Sequence, residues 1–162
     1  MKSIAAVILA IVLLSVVITQ LSETSNVLKE KVTLDAAVLT SCRVASGLSL
    51  ENSELRDLEL LINEAEFMQF FSEAFCSTLD VELINAAVDS MIFASPSGRF
   101  NDITLRFEFY TVDYSGREVM IVRVDLSTPY VFRTALLREA SGFATGVSHI
   151  TGSQMFEIAL VN

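Results

Sequence analysis

The sequence predicts an α+β chain: a long N-terminal helix that crosses a membrane and runs on as a stalk, a second amphipathic helix, and a small antiparallel sheet. Three observations carry this. No charge appears between Lys2 and Glu23, and Ile4 to Ile18 are all apolar except Ser15. Apolar residues then recur at helical spacing to about Leu79. From Ile103 onward the period changes to two, the alternation of a half-buried strand.

The first run sets the organisation. An uncharged stretch over residues 3–22 is as long as a helix needs to cross the hydrocarbon core, roughly 20 residues. A soluble helix would show a polar face, and this run has none. A cleaved signal peptide is the competing reading. It wants a small-x-small pair before the cut, and Val16, Val17, Ile18, Thr19, Gln20 and Leu21 offer none, so a retained anchor is expected. Its partner is membrane lipid, met through residues 3–22. Lys2 before the run favours a cytoplasmic N-terminus and an extracytoplasmic head, although Lys29, Lys31 and Arg43 follow it.

No Gly or Pro interrupts the chain between the run and Gly47. Val27, Leu28, Val32, Leu34, Val38 and Leu39 fall near helical spacing. One helix from about residue 4 to 45 is expected, bent or broken near residue 24, with Gly47 as its C-terminal cap. A separate juxtamembrane helix is the alternative. The expected divisions are an anchor over 1–22, a stalk over 23–47 and a head over 48–162. Leu48 to Ser53 reads as a loop, with Ser53 a candidate N-cap. From Glu54 to Leu79 the residues Leu58, Leu61, Ile62, Ala65, Met68, Phe71, Phe75 and Leu79 form one apolar face, with a break allowed near Asn63.

Asp80 to Ala94 reads two ways. Leu83, Ile84, Ala87, Val88 and Met91 fit a helix face, and Ser90–Ala94 fits the start of a strand. Ser95-Pro96-Ser97-Gly98 is a turn by composition. Ile103 to Thr111 and Val119 to Leu126 alternate, and Asp113-Tyr114-Ser115-Gly116 between them has turn chemistry, which predicts a hairpin. Pro129 either ends it or demands an edge position. Residues 130–137 read as extended. Gly142, Gly146 and Gly152 punctuate a looser stretch before a final strand over 155–161.

Composition bounds the chemistry. A net charge of −9 over 162 residues, with no basic stripe, disfavours nucleic acid and anionic headgroups. The two cysteines, Cys42 and Cys76, permit a disulfide in an exported head, or serve as two buried thiols. No CxxC and no Cys/His cluster supports zinc. The single histidine, His149, has no serine in a nucleophile-elbow pattern, and reads as a surface residue. Glu64 and Glu66 point to different helix faces, wrong for shared acid/base work. No glycine-rich phosphate loop or calcium-loop spacing appears. Neither catalysis nor a cofactor or metal is expected.

An apolar membrane helix that continues as an amphipathic stalk under an acidic head is the plan of a pilin or pseudopilin. Ala5, Ala6, Ala10 and Ser15 offer small surfaces for helix bundling. The chain resembles the TadE-like minor pilins of the Flp/Tad type, loosely and over most of its length. The resemblance rests on the N-terminal helix, on LDAAVLTSCRVASG (34–47), on VRVDLSTPYVFRTALL (122–137) and on SHITGSQMFEIAL (148–160). The family often carries a glutamate near the start of the apolar segment, and residues 3–22 here hold no acid. The resemblance implies a pilin-like fold, partners that are other pilin-like subunits or assembly-platform proteins, and assembly of a surface fibre or secretion machine.

Overall fold

The computed structural model describes residues 2–55, 63–114, 117–140 and 147–159. The chain is α+β. In order it forms α1 (Lys2–Leu55), α2 (Glu64–Leu79), β1 (Glu82–Ala86), β2 (Ser90–Ala94), β3 (Ile103–Tyr114), β4 (Arg117–Val131), α3 (Ala135–Ala140) and β5 (Val147–Ala159). The strands make one five-stranded antiparallel meander in sequence order.

Helix α1 is one 54-residue helix. It passes through Thr24 without a break, because the Thr24 hydroxyl bonds back to the Gln20 carbonyl at 3.0 Å rather than competing for the helix. It also passes through Gly47 and Ser53, which are therefore neither its cap nor the N-cap of the next helix. The stalk thus extends beyond the expected limit at 47. Nothing lies within 4 Å of a Cβ built on Gly47, so the residue is a solvent-side position within the helix rather than a terminus.

The expected break near Asn63 is where α2 starts. Asn63 is extended, and its side chain accepts from the Ala65 N–H at 2.9 Å, with Glu64 and Glu66 in the favourable first turn. Of the predicted apolar face, Leu58, Leu61 and Ile62 lie outside the described residues. Of the others, Met68, Phe71, Phe75 and Leu79 are buried as expected, with Phe67 beside them, whereas Ala65 in the first turn is exposed.

That stripe builds the core. Phe67 meets Phe109 edge-on, Phe71 meets Phe107 edge-on, and Phe75 meets Phe93. Burying each ring contributes roughly 1.5–3 kcal/mol. From α1 the core takes Leu34, Ala37, Val38, Cys42 and Ala45; from the sheet it takes alternate residues such as Leu105, Val122, Val124 and Ile158. The head is two layers, with α2 and the outer part of α1 on one sheet face.

Asp80 ends α2 in the left-handed conformation, φ 56°. The ambiguous stretch after it is a β-hairpin, β1 and β2, and not a helix. Its helically spaced apolar residues Leu83, Ile84 and Val88 are exposed, so no helix face is buried there. The turn before β3 forms as predicted: Gly98 has φ 67°, and its N–H bonds the Ser95 carbonyl at 2.9 Å.

The long hairpin pairs Thr104 with Ser127 through to Tyr114 with Arg117; residues 115 and 116 of its predicted turn lie outside the described residues. Strand β4 runs through Pro129. Pairing with β3 stops at Ser127, so Pro129 occupies an edge position on that side, opposite His149 of β5. The stretch 130–137 is not one extended segment: Tyr130 and Val131 finish β4, and Ala135 begins α3. The final strand is longer than predicted and includes Gly152. Gly142, Gly146 and residues 160–161 lie outside the described residues.

Candidate functional site

Two surfaces of α1 define the candidate site: a bare apolar length and a junction that fastens it to the head. From Ile4 to Thr19 every residue of α1 is exposed, and the helix is long and apolar enough to cross a membrane. Its two side-chain hydroxyls between Ile4 and Thr19 are both bonded within the helix. The Ser15 hydroxyl bonds the Val12 carbonyl and the Thr19 hydroxyl bonds the Ser15 carbonyl, both at 2.8 Å.

The expected bundling residues Ala5, Ala6, Ala10 and Ser15 are all exposed. They do not share one face. At 3.6 residues per turn, Ala6 and Ala10 stand about 40° apart, whereas Ser15 lies about 140° from Ala10. Ser15 instead lines a shallow groove with Val16, Thr19 and Gln20, closed on its far side by Thr134, Ala135 and Leu136.

The junction begins at Glu23, the first charge after the apolar run. Its residue is only 7% exposed. The carboxylate accepts from the Arg133 N–H, from the Thr134 N–H at 3.1 Å and from the Thr134 hydroxyl at 2.7 Å. Burial pushes this carboxyl upward, but those hydrogen bonds and the Arg133 charge outweigh it and hold the group below its ordinary value. Two turns on, the Lys31 ammonium bonds the Thr151 carbonyl and lies 3.6 Å from Asp35. Here α1 crosses β5 at Gly152, where a Cβ would collide with Asp35 Oδ1. Sequence reading missed the Glu23 clasp because its partners are 110 and 111 residues away. The available signal was position: a lone acid at the mouth of an apolar run, followed by neutral residues.

The apolar residues at near-helical spacing along the stalk divide between two sides. Leu34 and Val38 are buried against the head, as an amphipathic stalk requires. With them the buried face carries Ser41, Cys42, Ala45 and Ser49, and its small residues let α1 approach closely. Leu28 and Val32 stand on the opposite side, 58% and 66% exposed, in line with Leu21 at 65%. They extend the apolar surface of the bare length along the stalk.

Cys42 and Cys76 are free thiols rather than a bridge. Cys42 is fully buried in the core and packs as a small apolar residue; burial pushes its thiol up to about 12. Cys76 is half-buried and is also raised, by burial first and by Glu82. His149 is a surface residue as expected, but on β5 rather than in a turn, with its Nδ1 3.3 Å from the Ser127 hydroxyl. Among the described residues no three His, Cys, Asp or Glu side chains converge as a metal-ligating group. An apolar hollow of about 740 Å³ lies between the start of α2 and the β1–β2 hairpin, lined by Met68, Leu83, Ala86, Val88 and Met91 among others. Comparison of the chain with family models, curated proteins and solved structures gives no match.

Proposed function

We propose that the chain is a single-pass, pilin-like component of a surface pilus or secretion apparatus, working through protein–protein assembly rather than catalysis. In this reading the N-terminus is cytoplasmic and the head extracytoplasmic. The observation that carries it is the apolar stripe of Leu21, Leu28 and Val32. It leaves the bare length of α1 and continues along the stalk on the side away from the head. Lipid covers the first part; beyond it, water would face an apolar ridge that a neighbouring helix can cover. The clasp at Glu23 adds to this, because it fixes the head to one side of α1 and leaves the ridge open.

Leu28→Asp combined with Val32→Asp tests the reading. Both side chains are more than half exposed, so the fold should persist with an unchanged circular dichroism spectrum. Pilus assembly or secretion in cells carrying the variant should fall at least about tenfold, the loss set by about 1.4 kcal/mol or more of removed contact. Unimpaired assembly, secretion and adhesion, in that variant and in a deletion of the gene alike, would sink the proposal. A second reading, a tethered ligand-binding or sensing module, draws its support from the hollow beside β1.

A further inference from the structure

Helix α3 has no buried residue, yet its sequence is ALLREA, and Leu136 is 56% exposed. An isolated six-residue helix is too short to persist in water on propensity alone. Its position supplies a reason. It overhangs α1 at Ser15, Val16, Thr19 and Gln20, which lie within the apolar run rather than beyond it. Counting back from Ser22 at 1.5 Å per residue, those positions are about 3–10 Å inside the end of the run. That is the depth at which interfacial apolar elements rest, about 5–10 Å into the headgroup–acyl boundary.

The surroundings of α3 have the matching chemistry. Val131 before it is 53% exposed. Tyr130 and Phe132 pack edge-on at 5.3 Å at the same end, aromatic residues of the kind enriched at membrane surfaces. Arg99 and Arg133 line the hollow that also holds Ile18 and Thr19, and Arg138 lies on α3. Glu30 and Glu139 are the acids at this end, with Glu23 engaged in the junction. In a chain of net charge −9, the three arginines at this end balance its three glutamates, and Arg99 and Arg133 stand where phosphates would be.

We propose that α3 and the adjoining end of β4 are a lipid-binding foot: Val131 and Leu136 enter the bilayer boundary while Arg99 and Arg133 meet lipid phosphates, seating the head on the membrane. The apolar surface of the foot is continuous with the bare length of α1, which makes lipid its occupant. The inference rests on the reading of residues 3–22 as a membrane span.

The chain has no tryptophan, so single introduced indoles report cleanly. Full-length protein carrying Leu136→Trp, Val12→Trp or Val88→Trp is placed in nanodiscs made with or without brominated phosphatidylcholine. Val12 is in the run, and Val88 is 96% exposed on the head. Emission from Leu136→Trp should be blue-shifted and fall about two-fold in brominated lipid, while Val88→Trp answers only to aqueous iodide. Iodide quenching of Leu136→Trp equal to that of Val88→Trp would overturn the foot. Shielding from both quenchers would assign that surface to a protein neighbour and overturn it as well. Loss of bromine quenching in Val12→Trp would overturn the span and the foot together, whereas quenching there alone overturns only the foot.

Discussion

Glu23 does at one position what the rest of the junction spreads over several. A carboxylate with three donors is satisfied only in the docked geometry. Its pKa is depressed in the fold, so its contribution is complete above the ordinary value of 4.5 and is lost as the pH falls through the lower folded value. Protection of the Arg133 and Thr134 amides, their exchange rates divided into the intrinsic rates at the same pH, should therefore be high at neutral pH and fall below about pH 4.5. In Glu23→Gln the same amides should be less protected at neutral pH and match the wild type in acid, with that step in the profile gone, since a charged acceptor worth about 1.5–3 kcal/mol is replaced. An unchanged profile would show that the clasp contributes nothing. Gly47 makes the opposite case. It sits inside a helix with open space around it, so Gly47→Ala should raise stability by about 0.4–1 kcal/mol in chemical denaturation. Sequence reading took this glycine for a cap because a helix-ending glycine and a tolerated one look alike when the residues beyond, Leu48 to Ser53, carry no strong helix signal of their own.

At the scale of elements, periodicity was legible wherever one face is buried. The alternation of β3 and β4 located both strands and their inward residues. The spacing of Met68, Phe71, Phe75 and Leu79 located the buried face of α2. Phe71 is the centre of that face, touching Phe67, Phe75 and Phe107. Phe71→Ala should cost about 3–5 kcal/mol, read as a lower denaturation midpoint at an unchanged slope. Where faces are open, pattern failed. The residues of β1 are all exposed and α3 buries none, so neither had an inside to announce itself. The stalk failed in another way. Its buried face mixes Leu34 and Val38 with small and polar residues such as Ser41, Ala45 and Ser49, while Leu28 and Val32 point outward. Hydrophobicity alone thus found Leu34 and Val38 but could not separate them from Leu28 and Val32.

For the whole molecule, one core joins the stalk, α2 and the sheet, so the head cannot unfold while leaving α1 untouched. Cys42 reports this. It lies in that core, with its thiol raised to about 12. Under native conditions at pH 8 its alkylation should follow global opening, with a rate that Phe71→Ala increases in parallel with the lost stability. Cys76, half-buried, should react sooner. Equal, immediate labelling of both thiols would contradict the single core. The long apolar run, the helix that continues it and the hairpin could be read from the sequence because each is local. The clasp and the overhang of α3 could not, because each joins residues more than a hundred positions apart.

The continuity of α1 has a mechanical consequence. At 1.5 Å per residue its 54 residues make a rod of about 80 Å, with no glycine or proline hinge where it would leave the bilayer. The head is clamped to this rod at Glu23 and again at Lys31. A tilt of about 10° at the apolar end, well within the range of membrane helices, therefore sweeps the far end sideways by about 14 Å. The molecule behaves as a lever without a wrist: whatever sets the angle of the apolar end also aims the head.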